Sequence, residues 1–235
     1  MLYWFGKIVV APFFFLIFRP VIHNWKGLRS KGPVVYLCNH FSLADAVALA
    51  HHFEKWARYK KQFITVVDDG TSTNETRLGA VKDIQFAIDK LNIDDDLLVI
   101  AGDNLLDFSL TKFIDYAKEK NSSCIMRYFE SNEEKLKKCG VVSIDSDDKI
   151  VLMEEKPEHP KSKWCCPPFY YYTKEDAKLV KVGIDSGCGV DAPGSYIAWL
   201  CSQVSVYAME MLGKRYDIGN LESYEQVQKN YNGIF

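Results

Sequence analysis

From residue 53 onward, short apolar runs alternate with segments of helical periodicity. Leu97 to Ala101 is an unbroken apolar run of strand length, whereas Val81, Ile84 and Ile88 recur at helical spacing. A chain that alternates in this way buries its strands in a sheet and covers the sheet with helices. The pattern therefore predicts an α/β fold, with a Rossmann-like mixed sheet flanked by helices.

The predicted strands and helices follow one another along the whole of this region. Strands are predicted at 62–67, 96–101, 122–129, 140–144, 150–154, 164–172 and 204–211. Helices are predicted at 80–92, 110–120, 132–138, 174–182, 193–202 and 222–231. The sequence contains no internal repeat and no low-complexity tract, so a single α/β domain is expected here.

The beginning of the chain has a different character. Leu2 to Phe18 is almost wholly apolar and aromatic and is closed by Arg19. This run is shorter than the about 20 residues of a straight bilayer span and lacks a small-residue cleavage site. We therefore expect an interfacial or re-entrant hydrophobic helix that contacts a membrane through residues 2–18. A buried amphipathic helix is the alternative, because periodicity does not separate the two for a short run.

The composition changes from membrane-like to soluble near residues 50–52. We predict two parts, a hydrophobic N-terminal segment at 1–51 and an α/β domain at 52–235. The apolar helix of the first part should not belong to the core of the second.

Charge and cysteine content narrow the class of protein. The formal net charge is -2 with acidic and basic residues interleaved, which gives no broad positive surface for nucleic acid. The seven cysteines contain no C-x-x-C pair, so they are expected to be reduced thiols rather than zinc ligands or a disulfide framework. The expected location is the cytoplasm, with attachment to the inner face of the membrane left open.

A His-x4-Asp motif, His40 to Asp45, follows a strand-like segment at 33–38. With the hydrophobic leader before it, residues 1–50 resemble the opening of the lysophosphatidate acyltransferase family. That resemblance implies that His40 takes a proton from a glycerol hydroxyl while Asp45 orients its imidazole ring. The later blocks of that family have no match downstream, so membrane glycerolipid acyl transfer is the last of three alternatives.

Three acidic motifs stand further along the chain, and the first two follow apolar strands. Asp103 comes directly after the apolar run ending at Ala101, Glu155 and Lys156 close a second strand, and Asp217 precedes Gly219. A carboxylate presented at the carboxyl end of a strand can hold a hard cation. In this order and spacing the motifs resemble those of the sugar-1-phosphate nucleotidyltransferases, over residues 53–231, and in particular a branch that includes choline-phosphate cytidylyltransferase-like members.

The resemblance implies a set of functional residues and substrates. Asp103 and Asp217 match the aspartates that coordinate Mg²⁺, and Lys156 joins them in the catalytic set. Acceptor and nucleotide contacts are implied for four residues: Gly79 at the nucleobase, and Gly140, Glu155 and Lys156 at the acceptor. The implied partners are an NTP and a phosphorylated small molecule, either a sugar 1-phosphate or choline phosphate.

The most important of the chain's departures from that family concerns its glycine-rich opening. The glycine-rich opening, G-x-G-T-R-L-x-P-x-T, has no match in this sequence, and it is the segment whose amides hold the triphosphate. We therefore expect an N-terminally truncated nucleotide-diphospho-sugar transferase fold with impaired activity. A membrane-tethered module that binds a phosphorylated sugar or choline phosphate without turnover is the alternative.

Overall fold

The computed structural model describes residues 34–37 as backbone, residues 65 and 67–71, and residues 75–233. The chain divides into two compact units. One contains residues 34–37 and 78–233, and the other contains the described residues 65, 67–71 and 75–77. The hydrophobic run Leu2 to Phe18 lies outside the described residues, as do His40 and Asp45.

The larger unit is built on a mixed sheet of eight described strands. In order across the sheet, seven strands run β1, β2, β8, β4, β7, β5 and β6, while β9 pairs with β4. The strands are β1 (Val34–Leu37), β2 (Leu97–Ala101), β4 (Cys124–Phe129), β5 (Gly140–Ile144), β6 (Ile150–Glu155), β7 (Trp164–Cys166), β8 (Phe169–Tyr172) and β9 (Tyr207–Glu210). The pairs β1–β2 and β4–β9 are parallel, and the other pairs are antiparallel. A separate antiparallel pair is formed by β3 (Asn104–Leu106) and β10 (Arg215–Asp217).

Seven helices are described in the same unit. They are α1 (Ala80–Leu91), α2 (Thr111–Lys120), α3 (Glu133–Leu136), α4 (Lys174–Lys178), α5 (Val180–Asp185), α6 (Gly194–Leu200) and α7 (Leu221–Asn230). Helices α1 and α2 each end at an asparagine, Asn92 and Asn121, in the left-handed conformation that this residue tolerates. Helix α7 begins with a capping box in which Asn220 and Ser223 satisfy each other's backbone amides.

The central strands are buried on both faces. Leu97 and Val99 belong to one apolar cluster together with residues of α1 and α6, whereas Leu98 and Ile100 belong to a second cluster with Phe113 of α2. Because side chains alternate along a strand, an unbroken apolar run such as β2 requires a cover on each side. The predicted mixed sheet flanked by helices is therefore confirmed.

Several elements differ in detail from the sequence prediction. The single strand predicted at 164–172 is two strands, because Pro167 and Pro168 interrupt it and proline has no amide hydrogen for a sheet. Strand β3 was not predicted, since three residues are too few for a periodic pattern, whereas β10 corresponds to the short strand and turn expected around Asp217. In the strand predicted at 62–67, only Thr65 and Val67 are described, and neither lies in a strand.

Strand β1 joins the sheet beside β2. Its four residues pair in parallel register with Leu98 to Ala101. The predicted boundary at residue 51 assigns these residues to the N-terminal segment, and that boundary stays a prediction. Among the described residues, no helix has the length and apolar character needed to cross a membrane.

Candidate active site

The small sheet formed by β3 and β10 brings the two predicted metal ligands to neighbouring positions. Asp103 follows β2 and immediately precedes β3, and Asp217 is the last residue of β10. The antiparallel register places Asp217 opposite Asn104. The amide of Ile218 also donates to the carbonyl oxygen of Asp103, at 2.8 Å. Two segments that lie more than a hundred residues apart in sequence therefore meet at this point.

A short hydrogen-bond network joins the two acidic side chains. Asn104 Nδ2 donates to Asp103 Oδ1 at 2.5 Å. The Arg215 guanidinium donates through Nη1 to Asn104 Oδ1 at 2.6 Å and to Asp217 Oδ2 at 3.2 Å. Arg215 is largely buried, with 17% of its side chain exposed, whereas Asp217 is 54% exposed. Asp217 thus faces solvent while the arginine beside it lies within the protein.

The predicted acceptor residues are gathered around the end of β6. Glu155 pairs with Gly140 of β5 in antiparallel register. Burial raises the pKa of the Glu155 carboxyl, and the charge of Lys156 partly offsets that rise. Lys156 has a positive φ of 50°, and its amide donates to the carbonyl oxygen of Cys139 at 3.0 Å. Its exposed side chain leaves the sheet at this turn.

Two glycines confine the Glu155 carboxylate. A Cβ atom at Gly140 would lie 3.0 Å from Glu155 Oε2, and one at Gly194, the first residue of α6, would lie 2.1 Å from the same oxygen. Real Cβ contacts of the second kind do not occur, so residue 194 must be glycine while Glu155 holds this position. Gly194 is not among the site residues predicted from the sequence, where its only signal is the Pro193-Gly194 pair at the start of a helix.

Tyr128 of β4 connects the acidic pair to the acceptor residues. The Arg215 guanidinium carbon lies 5.6 Å from the centroid of the Tyr128 ring. The hydroxyl of Tyr128 lies 3.5 Å from Cys139 Sγ. Because Cys139 precedes Gly140 and its carbonyl oxygen binds the amide of Lys156, the contacts run continuously from Asp217 to Lys156.

Cys139 itself carries an altered acidity. A hydrogen bond from the Cys165 thiol is the main reason that the pKa of Cys139 lies below its usual value, and the Tyr128 hydroxyl and the Arg215 charge act in the same direction. Burial opposes them. The sulfur beside the acceptor residues is therefore a thiolate more readily than an ordinary cysteine.

Gly79 is packed closely against the backbone of residue 190. Its φ is +92°, and a Cβ atom there would lie 2.6 Å from the carbonyl oxygen of Val190. The amide of Val81 donates to the same oxygen at 3.0 Å. Close packing of the start of α1 against residue 190 is thus sufficient to require glycine, and a contact with a nucleobase stays a prediction.

A model of one protein family matches most of the chain. The model is described as nucleotidyl transferase, and it matches residues 34–233. The chain belongs to this family. Its match begins at β1, within the segment predicted at 1–51, and it runs through every predicted site residue from Gly79 to Asp217.

Two curated relatives match about half of this chain. A glucose-1-phosphate adenylyltransferase of Lachnospira eligens is 30% identical over 132 residues, which is 54% of this chain and 30% of that protein. The same enzyme of Clostridium novyi is 29% identical over 138 residues, which is 55% of this chain and 35% of that protein. The chain thus matches about a third of the length of these curated relatives.

The fold is shared with solved structures. The structure of a UDP-glucose pyrophosphorylase complexed with UDP-glucose superposes with a TM-score of 0.67 at 18% identity, covering 84% of this chain and 80% of that one. This likeness establishes the nucleotide-diphospho-sugar transferase fold of the nucleotidyl transferase. The resemblances to choline-phosphate cytidylyltransferase-like proteins and to acyltransferases stay predictions.

The acidic pair offers the kind of ligand that hard divalent cations prefer. Within residues 75–233, no group of three or more His, Cys, Asp or Glu side chains is placed to hold a metal. Mg²⁺ is commonly held by one or two carboxylates together with substrate phosphates and water. Asp103 and Asp217 supply two such carboxylates, so the donor set suits a Mg²⁺ ion that binds together with a nucleotide.

A cavity of about 380 Å³ lies elsewhere, between α3 and the loop that follows β6. It is lined by Glu133, Leu136, Lys137 and residues 158–163. None of the predicted site residues lines it, and its lysines and glutamates are mostly exposed. We therefore assign the candidate site to the acidic pair and the Glu155 region.

Proposed function

We propose that this nucleotidyl transferase binds an NTP and a sugar 1-phosphate and joins them with release of pyrophosphate. The observation that supports this most strongly is the continuous set of contacts that leads from Asp217 through Arg215, Tyr128 and Cys139 to Lys156. These contacts link Asp103 and Asp217, the carboxylates proposed to hold Mg²⁺, to Lys156 and Glu155. The charge of Lys156 and the carboxylate of Glu155 suit a phosphorylated sugar.

Each residue of the proposed site has a separate task. Lys156 offers a point charge to the phosphate of the acceptor sugar. The confined Glu155 carboxylate accepts hydrogen bonds from the hydroxyl groups of that sugar. Asp103 and Asp217 would hold Mg²⁺, which when bound neutralises phosphate charge. An oxygen of the sugar phosphate attacks the α-phosphorus of the NTP, and the bond to the β-phosphate breaks to release pyrophosphate.

Glucose 1-phosphate is the first acceptor to test. The two curated relatives are named as glucose-1-phosphate adenylyltransferases, and the solved structure contains UDP-glucose. Choline phosphate is the second acceptor, from the branch that the sequence resembles. The membrane contact of residues 2–18 and acyl transfer through His40 and Asp45 depend on residues outside the described ranges.

We expect nucleotidyl transfer by this chain to be slow. The glycine-rich sequence whose amides hold a triphosphate has no counterpart in this chain. Phosphoryl-type transfer depends mainly on positioning and charge stabilisation, and one oriented donor is worth about 10²-fold in comparable sites. Acceptor contacts do not depend on that segment, so binding of the sugar phosphate should be retained. Binding without turnover is therefore the second candidate function.

The test combines a turnover assay with a binding assay. Pyrophosphate release is measured with Mg²⁺, each common NTP, and glucose 1-phosphate, mannose 1-phosphate or choline phosphate. Calorimetry measures acceptor binding to the wild type, to Lys156→Ala, and to Lys161→Ala as a control that removes a nearby exposed lysine. We expect slow, Mg²⁺-dependent release that Asp217→Asn abolishes, and acceptor binding that only Lys156→Ala weakens.

Three results would count against the proposal. Acceptor binding that Lys156→Ala leaves unchanged would place the acceptor elsewhere. Binding without any release would favour the second candidate function. Turnover at an ordinary enzyme rate of roughly 1 s⁻¹ or faster would show that the glycine-rich sequence is not needed here.

A further inference from the structure

Arg215 contacts both members of the acidic pair, one directly and the other through Asn104. Its guanidinium is the nearest described positive group to Asp217, and it also reaches Asp103 indirectly through the amide of Asn104. The two contacts differ in length, at 2.6 Å to Asn104 and 3.2 Å to Asp217. The contact to the carboxylate is therefore the longer of the two, although both partners in it are charged.

Three further contacts keep Arg215 in place independently of Asp217. Its backbone pairs with Leu106 in the small sheet, and its guanidinium lies over the Tyr128 ring. Its bond to Asn104 is short, and Asn104 in turn binds Asp103. Loss of the 3.2 Å contact would leave the arginine and the Asn104 to Asp103 bond where they are.

We propose that Arg215 is a built-in counter-ion for Asp217 and that Asn104 holds its guanidinium in place. Without a metal ion, its guanidinium holds one Asp217 oxygen, while the amide of Asn104 orients Asp103. When Asp103 and Asp217 hold a divalent cation, the Arg215 guanidinium would give up its contact to Asp217 and keep its bond to Asn104. The inference rests on the proposed function, because it assigns a role within the same site.

Removal of Arg215 should change the metal affinity in a direction that a purely structural role does not predict. A competing positive charge lowers the affinity of the site for a divalent cation, so its removal should raise that affinity. A single charge at roughly 6 Å from a divalent ion, in water-like surroundings, corresponds to about tenfold in affinity, and salt should reduce the effect. If Arg215 served only to hold the small sheet together, its removal would weaken metal binding or leave it unchanged.

Mn²⁺ binding measured by electron paramagnetic resonance provides the test, with and without an NTP. We expect Arg215→Gln to bind Mn²⁺ about tenfold more tightly than the wild type and Arg215→Lys to bind it within about twofold. Lys214→Gln is the matched control, because it removes the same charge from the adjacent exposed position, and it should also stay within about twofold. Unchanged or weaker Mn²⁺ binding by Arg215→Gln would overturn the proposal.

A second variant tests the Asn104 connection and serves if Arg215→Gln does not fold. Asn104→Leu removes the amide that holds both Arg215 and Asp103, so Arg215 is left with Asp217 as its partner. We expect Mn²⁺ binding to weaken several-fold, and unchanged binding would overturn the inference.

The two proposals fail in different ways. Wild-type protein that binds no Mn²⁺ in the presence of any NTP would overturn both the metal site and the inference. Wild-type binding that Asp217→Asn abolishes, together with unchanged affinity in Arg215→Gln, would overturn only the role of Arg215.

Discussion

The environment of Glu155 disfavours the ionised form of its carboxylate and restricts the position of that carboxylate. Its carboxylate is confined by Gly140 and Gly194, and burial raises the pKa of its carboxyl. A group whose pKa is raised in the folded state binds more protons there than in the unfolded chain. Stability is therefore lost as pH rises from the unfolded pKa to the folded pKa, and above both values the full cost is present.

The first prediction follows from this sign. Glu155→Gln cannot ionise, so it should have a higher Tm than the wild type at pH 7, and the difference should shrink as pH falls to 4.5. Calorimetric binding of glucose 1-phosphate should weaken in the same variant, because the carboxylate acceptor is gone. A variant that is less stable than the wild type at pH 7 would show that the carboxylate is well compensated where it lies.

The second prediction concerns the space at Gly194. Gly194→Ala places a Cβ atom 2.1 Å from Glu155 Oε2, so the carboxylate must move, and acceptor binding should fall by about tenfold or more. Calorimetry with glucose 1-phosphate measures the loss. Shortening the side chain at 155 relieves the clash, so the double variant Gly194→Ala, Glu155→Asp should bind more tightly than Gly194→Ala alone. Equal binding by both would mean that residue 194 acts by another route.

The third prediction concerns Cys139, whose pKa is lowered chiefly by the Cys165 thiol. Cys188 is also half-buried, but burial raises its pKa. Because the thiolate is the reactive form, iodoacetamide should label Cys139 roughly tenfold faster than Cys188 at pH 7. Peptide mass spectrometry measures both sites in the same sample.

Replacement of the thiol donor provides the control for that prediction. Cys165→Ala removes the main hydrogen bond to the Cys139 sulfur, so labelling of Cys139 should slow while labelling of Cys188 stays the same. Labelling that is equally fast at both cysteines in the wild type would show that the Cys165 and Tyr128 contacts do not acidify Cys139.

At the scale of the elements, the length of each segment decided whether sequence alone could identify it. Helix α1 carries Val81, Ile84 and Ile88 on one face, and all three are buried, so its periodic pattern was sufficient. Strand β2 was equally plain, because its apolar run is buried on both faces. Long segments of this kind report their burial directly in the pattern of residues.

The elements that build the candidate site are shorter and gave no such pattern. Strands β3 and β10 contain three residues each, and their pairing depends on a contact between distant segments. The resemblance to a family identified Asp103 and Asp217, whereas Arg215 has no motif of its own and becomes visible only through its hydrogen bonds. Tyr128 likewise reads in the sequence as one more residue of a buried strand.

At the scale of the whole molecule, the place of β1 matters most. The sequence predicts a boundary at residue 51, because composition changes there, but a compositional change does not report which strands pair. Residues 34–37 pair with β2, and the family match begins at the same point. Among the described strands, β1 stands at the end of the order, and its ladder hydrogen bonds run to β2.

The fourth prediction uses the pairing of β1 with β2. In a parallel ladder, alternate residues direct their amides to the neighbouring strand, so either Val35 or Tyr36 donates to β2 and the other does not. Proline at the donating position removes a ladder bond, whereas proline at the other position is of the kind that edge strands tolerate.

We therefore expect one of Val35→Pro and Tyr36→Pro to lower the free energy of unfolding by about 1–3 kcal/mol more than the other. Hydrogen exchange should show weaker protection at Val99 and Ile100 in the same variant. If both variants unfold like the wild type and protection in β2 is unchanged, β1 does not belong to this sheet and the boundary at residue 51 describes the chain better.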